Sequence, residues 1–131
     1  MTALNTQDVL DYGCGKRTLE QALGQQIQNY DPAVEGLCKE PDPADIVACT
    51  DVLEHIEPEC LRVVLLDIRR CTKRAAFLTI ATRPAKKYLA DGRNAHLIQE
   101  GQEFWLKQLW QAGFRVRQMV DPGGEIQVFV E

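Results

Sequence analysis

Apolar residues in this chain fall into short unbroken runs that alternate with stretches of three- and four-residue spacing. Asp8–Tyr12 (DVLDY) reads as a buried strand running into Gly13-Cys14-Gly15, a turn too tight for ordinary side chains. Arg17–Leu23 predicts a short helix stopped by Gly24, and Ile27–Asp31 a second short strand closed by Pro32. Residues 32–44 hold three prolines and few apolar positions, and read as loop. Asp45–Thr50 (DIVACT) is a β-branched, apolar strand buried on both faces. Leu61, Val64, Leu65 and Ile68 recur at helical spacing and predict a helix over Glu57–Thr72, with Pro58 in its first turn and Arg69, Arg70, Lys73 and Arg74 at its C-terminal end. Ala75–Ala81 is another buried strand. A long polar connection (82–100) leads to an amphipathic helix over Glu103–Ala112, in which Trp105 and Trp110 read as core. Phe114–Val120 and Glu125–Val130 flank Asp121-Pro122-Gly123-Gly124, the chemistry of a hairpin turn.

Strands alternating with helices predict an α/β fold with a mostly parallel sheet and a C-terminal antiparallel hairpin, built as a single domain over 1–131. In such sheets ligands bind beyond the carboxyl ends of the strands. The turn after the first strand is the place to look.

Composition changes this picture little. The 45% hydrophobic and 26% charged residues are those of an ordinary globular domain, and no apolar run approaches membrane-spanning length. The start lacks a basic segment followed by an apolar one, so no export signal is expected and the chain is expected in the cytoplasm. Five cysteines without a C-x-x-C pair read as reduced, mostly buried thiols. A net charge of −4 argues against nucleic acid as a main partner.

Three segments carry chemistry. In V-L-D-Y-G-C-G (9–15), Gly13 and Gly15 let backbone approach a ligand, and Asp11 could oppose a cationic group. A dinucleotide loop would want a third glycine at residue 18, which is Thr18. A nucleotide-binding oxidoreductase is therefore disfavoured. Asp31 ends the second strand, where a carboxylate can accept from both hydroxyls of a ribose, although an Asp-Pro turn would look the same. The third segment, C-T-D-V-L-E-H-I-E-P (49–58), directly follows a buried strand.

Taken in order, these segments resemble the class I S-adenosylmethionine-dependent methyltransferases, closest to the small-molecule type of quinone biosynthesis. Trp110-Gln111-Ala112-Gly113-Phe114 resembles that family's late strand entry. The resemblance implies a Rossmann-like sandwich and S-adenosyl-L-methionine as cofactor. Asp11, Gly13 and Gly15 would surround its methionine part, with Tyr12 beside them. Asp31 would hold the ribose, with Pro32 next to it. Thr50, Asp51 and Val52 would line the floor beside the sulfonium. His55 would face the pocket or brace its loop.

The chain departs from that pattern in three places. The usual third glycine of the turn is Arg17. Only thirteen residues separate Asp31 from Asp45, so a strand and a helix are expected to be missing, leaving the adenine to loop 32–44. The helices that often cover the substrate are not expected before the first strand, so an open pocket is expected unless residues 82–100 or a partner chain close it. A homodimer through an exposed apolar edge fits that expectation.

Methyl transfer needs alignment first, and a base only where the acceptor must lose a proton. His55 and His96 are the two histidines and the candidate bases. Lys86, Lys87 and Arg93 could attract an anionic acceptor. The expected activity is methylation of a small-molecule acceptor. The alternative is a degenerate subunit of the same fold that binds the cofactor or a partner chain.

Overall fold

The protein is described by a computed structural model covering residues 6–131. Residues 1–5 of the expected domain, where an export signal would begin, lie outside the described residues. The elements are β1 (Val9–Tyr12), α1 (Thr18–Leu23), β2 (Gln28–Tyr30), β3 (Ala44–Thr50), α2 (Leu61–Cys71), β4 (Thr72–Ala81), α3 (Gln102–Gln111), β5 (Val116–Val120) and β6 (Glu125–Val130). Two 3-10 turns, Leu53–His55 and Pro58–Cys60, lie between β3 and α2.

The six strands form one sheet in the order β2-β1-β3-β4-β6-β5. Pairs β1–β2, β1–β3 and β3–β4 are parallel, while β6 runs antiparallel between β4 and β5. The order reverses between the step from β1 out to β2 and the step from β1 across to β3. That is the switch point at which such sheets open a crevice. The shortened middle is as expected: among the described residues no strand or helix lies between β2 and β3.

Leu10, Val47, Leu78 and Val128 point to one face of the sheet, where Leu61, Leu65 and Ile68 of α2 and Trp105 and Leu109 of α3 meet them. This is the main core. The alternate residues Val9, Ile46 and Ala75 form a smaller cluster on the opposite face, with Leu19 of α1 and Phe129 packed against it. That face is thinly covered: α1 buries none of its own residues, and Phe77 is more than a third exposed.

The structure moves two sequence expectations. The helix predicted over Glu57–Thr72 begins as the Pro58 turn, becomes α-helical at Leu61 and ends at Cys71. Lys73 and Arg74 therefore belong to β4 and not to the helix end. The stop is local. Thr72 Oγ1 donates to the Ile68 carbonyl (2.7 Å) and Arg69 donates to the Thr72 carbonyl (3.2 Å), capping the last turn while the chain turns extended. The second correction is Trp110, which is 74% exposed, whereas Trp105 is fully buried. A ten-residue helix against a flat sheet buries one stripe, and Trp105 and Leu109 occupy it. Cys38 and Cys60 are likewise exposed, and the other three cysteines are buried.

Trp105→Ala is expected to cost about 3–5 kcal/mol in urea unfolding, and Trp110→Ala no more than about 0.5 kcal/mol. Similar costs for the two would contradict this packing.

Candidate functional site

The site is built where β1 stops. Gly13 and Gly15 both hold positive φ (86° and 51°), and the amides of Gly13 and Cys14 both donate to the Tyr30 carbonyl at the end of β2 (2.7 and 3.0 Å). Gly15 N–H donates to Asp31 Oδ2 (2.9 Å), and Ala33 N–H to the other oxygen, Oδ1 (2.9 Å). Each Asp31 oxygen has one protein donor and so keeps a lone pair for another. From the third segment, Val52 closes on the same turn. A Cβ added to Gly13 would lie 2.4 Å from Val52 Cγ2. All three sequence segments thus meet at the carboxyl ends of β1, β2 and β3.

They enclose a cavity of about 420 Å3 lined by Tyr12, Gly13, Tyr30, Asp31, Pro32, Ala33, Asp51, Val52, His55, Ile56 and Val64. Seven predicted site residues are among these. Gly15 joins through Asp31, and His96 through His55, their rings 4.8 Å apart in an edge contact. Asp11 is buried behind the turn. Thr50, exposed at the end of β3, does not line the cavity. A wider depression of about 570 Å3 lies between α1 and β2, lined by Arg17, Glu20, Gln25 and Gln26, away from the cavity's own lining.

Backbone strain marks two positions. Arg17, where the usual glycine pattern would continue, has φ 61°, and Asp51 has φ 58°. Side chains rarely adopt this left-handed region, and each such residue costs on the order of 1 kcal/mol. Asp51 is held there by donation from its N–H to the Thr79 carbonyl (3.0 Å) and from Thr79 Oγ1 to its carboxylate (3.3 Å).

Two acids are buried without full pairing. Asp11 is 3% exposed and its Oδ1 has no partner. Burial, and secondarily the charge of Asp31, pushes its carboxyl up to about 6. A cation arriving beside it would offset that burial. The other acid, Glu54, was not singled out by its sequence context. It is 1% exposed, its Oε1 has no partner, and burial raises its carboxyl above the usual range. Its signal was the acid placed directly between Leu53 and His55 in the third segment, where a solvated helix entry would tolerate any polar residue.

Residues 82–100 fold into a loop that covers the Leu53–His55 turn and lines none of the cavity. Asn94 exchanges hydrogen bonds with the Ala85 backbone and accepts from His96 N–H (2.9 Å). Arg93, expected to attract an anionic acceptor, is instead engaged by both oxygens of Glu57 (2.9 and 2.8 Å) and by Asp91 (2.8 Å). Its guanidinium ties the cover to the Pro58 turn. Tyr12, which lines the cavity, donates its hydroxyl to Asp67 (2.6 Å) on α2.

No protein-family model matches the chain, and no curated protein sequence matches it. Solved structures do. DhpI in complex with SAH superposes with a TM-score of 0.73 at 16% identity, over 95% of this chain and 76% of that one. The 1,6-didemethyltoxoflavin-N1-methyltransferase of Burkholderia thailandensis, with 1,6-didemethyltoxoflavin and S-adenosylhomocysteine bound, gives 0.68 at 17% identity, over 98% and 72%. Magnesium protoporphyrin IX methyltransferase (ChlM) of Synechocystis PCC 6803 gives 0.63 at 17%, over 94% and 73%.

The fold is that of the class I S-adenosylmethionine-dependent methyltransferases. In this methyltransferase fold the shortened middle leaves Pro32 and Ala33 on the cavity wall, where loop 32–44 was expected to act. Asp31 N–H donates to the Leu37 carbonyl (2.9 Å) and shapes that loop into a compact turn.

Gly13→Ala is expected to destabilise the protein by about 2–4 kcal/mol, from overpacking against Val52 and from the positive φ. Adding Val52→Ala should return the overpacking part alone, as a double-mutant cycle in urea would read. Asp11 supplies a second test. An acid whose proton affinity is raised on folding destabilises the native state at pH values above that at which the unfolded carboxyl ionises. The penalty grows from about pH 4 to about pH 6 and is constant beyond. Without ligand, Asp11→Asn should therefore be more stable than wild type at pH 8 by up to about 3 kcal/mol, with the gain shrinking below pH 6. A gain that is absent at pH 8 would mean that Asp11 is not a strained buried charge.

Proposed function

We propose that this chain binds S-adenosylmethionine in the cavity between the Gly13 turn, Asp31 and Val52, and catalyses methyl transfer to a small-molecule acceptor. The observation that carries this reading is the convergence of three sequence segments on one cavity at the switch point of a methyltransferase fold. The solved neighbours support it: DhpI is seen in complex with SAH, and the Burkholderia thailandensis enzyme with 1,6-didemethyltoxoflavin and S-adenosylhomocysteine bound.

The residues present fit the cofactor. Asp11 offers a buried carboxylate oxygen without a partner, suited to the ammonium of a bound amino acid. Gly13 keeps the turn free of a Cβ at the narrowest point. Asp31 retains one lone pair on each oxygen for the two hydroxyls of a ribose. Pro32 and Ala33 would flank the base. When bound, the cofactor supplies an activated methyl on a sulfonium.

The protein's part is to place the acceptor and manage its proton. His55 lines the cavity, and His96 packs against it. Each holds its Nδ1 against a backbone carbonyl, that of Ala95 for His55 (2.9 Å) and that of Arg83 for His96 (2.6 Å). A carbonyl only accepts, so each Nδ1 carries the hydrogen, and in the neutral ring Nε2 keeps its lone pair. His55 lines the cavity, so with no ion bound its Nε2 is available to accept a proton there.

Titration calorimetry with S-adenosylmethionine and S-adenosylhomocysteine tests the reading. Wild type should bind at micromolar concentration, and Asp31→Ala at least about tenfold more weakly, as loss of charge-assisted hydrogen bonds requires. No binding by wild type would overturn it. Binding without turnover across a panel of small acceptors would leave a cofactor-binding protein and remove the enzyme.

A further inference from the structure

We infer that Glu54, His55 and His96 form a binding site for a divalent transition-metal ion, with Zn2+ the best-suited, at the edge of the cavity. Each of the three offers one ligand atom, and these atoms lie within 4.8 Å of one another. Two imidazoles and one carboxylate are the donor set of open zinc centres and of related first-row metal sites.

Two further observations point to an ion. The first is the orientation of the histidines. Both Nδ1 atoms face backbone carbonyls, of Ala95 and Arg83, which in the neutral rings leaves the Nε2 lone pairs for coordination. Metal-bound histidines are oriented in this way, the second ring nitrogen donating to a carbonyl or carboxylate. The second is Glu54. It is almost wholly buried, and its Oε1 lacks any partner, a costly arrangement for a carboxylate unless a cation joins it.

The site is also held together before any ion arrives. Glu54 and His55 stand on the 3-10 turn Leu53–His55, and His96 comes from the cover forty-one residues further on. Ile98 N–H donates to the Glu54 carbonyl (3.1 Å), and the Arg93–Glu57 pair clamps the two segments. Three protein ligands leave a coordination position open, and His55 lines the cavity, so an oxygen or nitrogen of a small molecule there could take it. That use rests on the methyl-transfer reading; the metal site itself does not.

The test uses the full chain, stripped with a chelator and kept free of S-adenosylmethionine, so that its result is separate from cofactor binding. Titration with Co2+ should produce visible ligand-field absorption that saturates at one equivalent and is displaced by Zn2+. His55→Ala, His96→Ala and Glu54→Gln should each weaken uptake by at least about tenfold. Should a variant fail to fold, imidazole nitrogen NMR of wild type keeps the test open: Zn2+ must shift the Nε2 resonances of His55 and His96. No uptake, or no Nε2 shift, would overturn the site. So would uptake that survives His96→Ala with a thiolate-to-cobalt band, which would place the ion on the exposed Cys38 or Cys60.

Discussion

Gly13 has room for a hydrogen and nothing larger on its Cα, because Val52 stands 2.4 Å from where a Cβ would be. The same residue donates its N–H to the end of β2 through the Tyr30 carbonyl. One glycine thus joins the ends of β1 and β2 to the segment that leaves β3. Other features of the cavity gather around that closure. Asp31 reaches back to Gly15, Asp51 is turned into a left-handed conformation, and Leu53–His55 begins directly above the turn. The constraint is met by packing: Leu10, Val47 and Leu78 bury the strands on α2 and α3, and their rigidity holds the three ends at a fixed separation.

Much of this was legible along the chain, because buried parallel strands write continuous apolar runs and glycine turns write themselves. V-L-D-Y-G-C-G and D-I-V-A-C-T announced β1 and β3, and the short step from Asp31 to Asp45 announced the shortened sheet. What failed to show was set by tertiary contacts. Trp110 has the same local pattern as Trp105, and only the direction of α3 over the sheet decides which one is covered. The end of α2 was read from a run of basic residues, yet it is fixed by Thr72 and Arg69 binding carbonyls, which periodicity does not register. Arg93 looked like a free cation until Glu57, thirty-six residues earlier, took its guanidinium. Glu54 was overlooked because an acid in a polar loop segment carries no sign of burial.

The two buried acids give the site its electrostatic character. Asp11 lies behind the glycine turn on the sheet face away from the main core, and Glu54 lies beside the histidines. Both are held where their charge is poorly solvated and incompletely paired. The chain tolerates this cost in two of the segments that build the site, which is the pattern expected where binding partners are positively charged. Asp11 suits an ammonium group, and Glu54, with two oriented imidazoles, suits a metal ion. Neither acid lines the cavity itself, a space of about 420 Å3 that is enough for a small molecule held against Asp31 and Val52; each stands next to a residue that does, Asp11 to Tyr12 and Glu54 to His55.

The central claim is that the cofactor sits on the Gly13 turn and nowhere else. Amide NMR of the 15N-labelled chain, titrated with S-adenosylhomocysteine, tests it most directly. The account predicts that the largest shifts fall on Gly13 to Gly15, Asp31, Ala33, Asp51 and Val52. Shifts confined to the depression between α1 and β2, or no shifts at all, would contradict it.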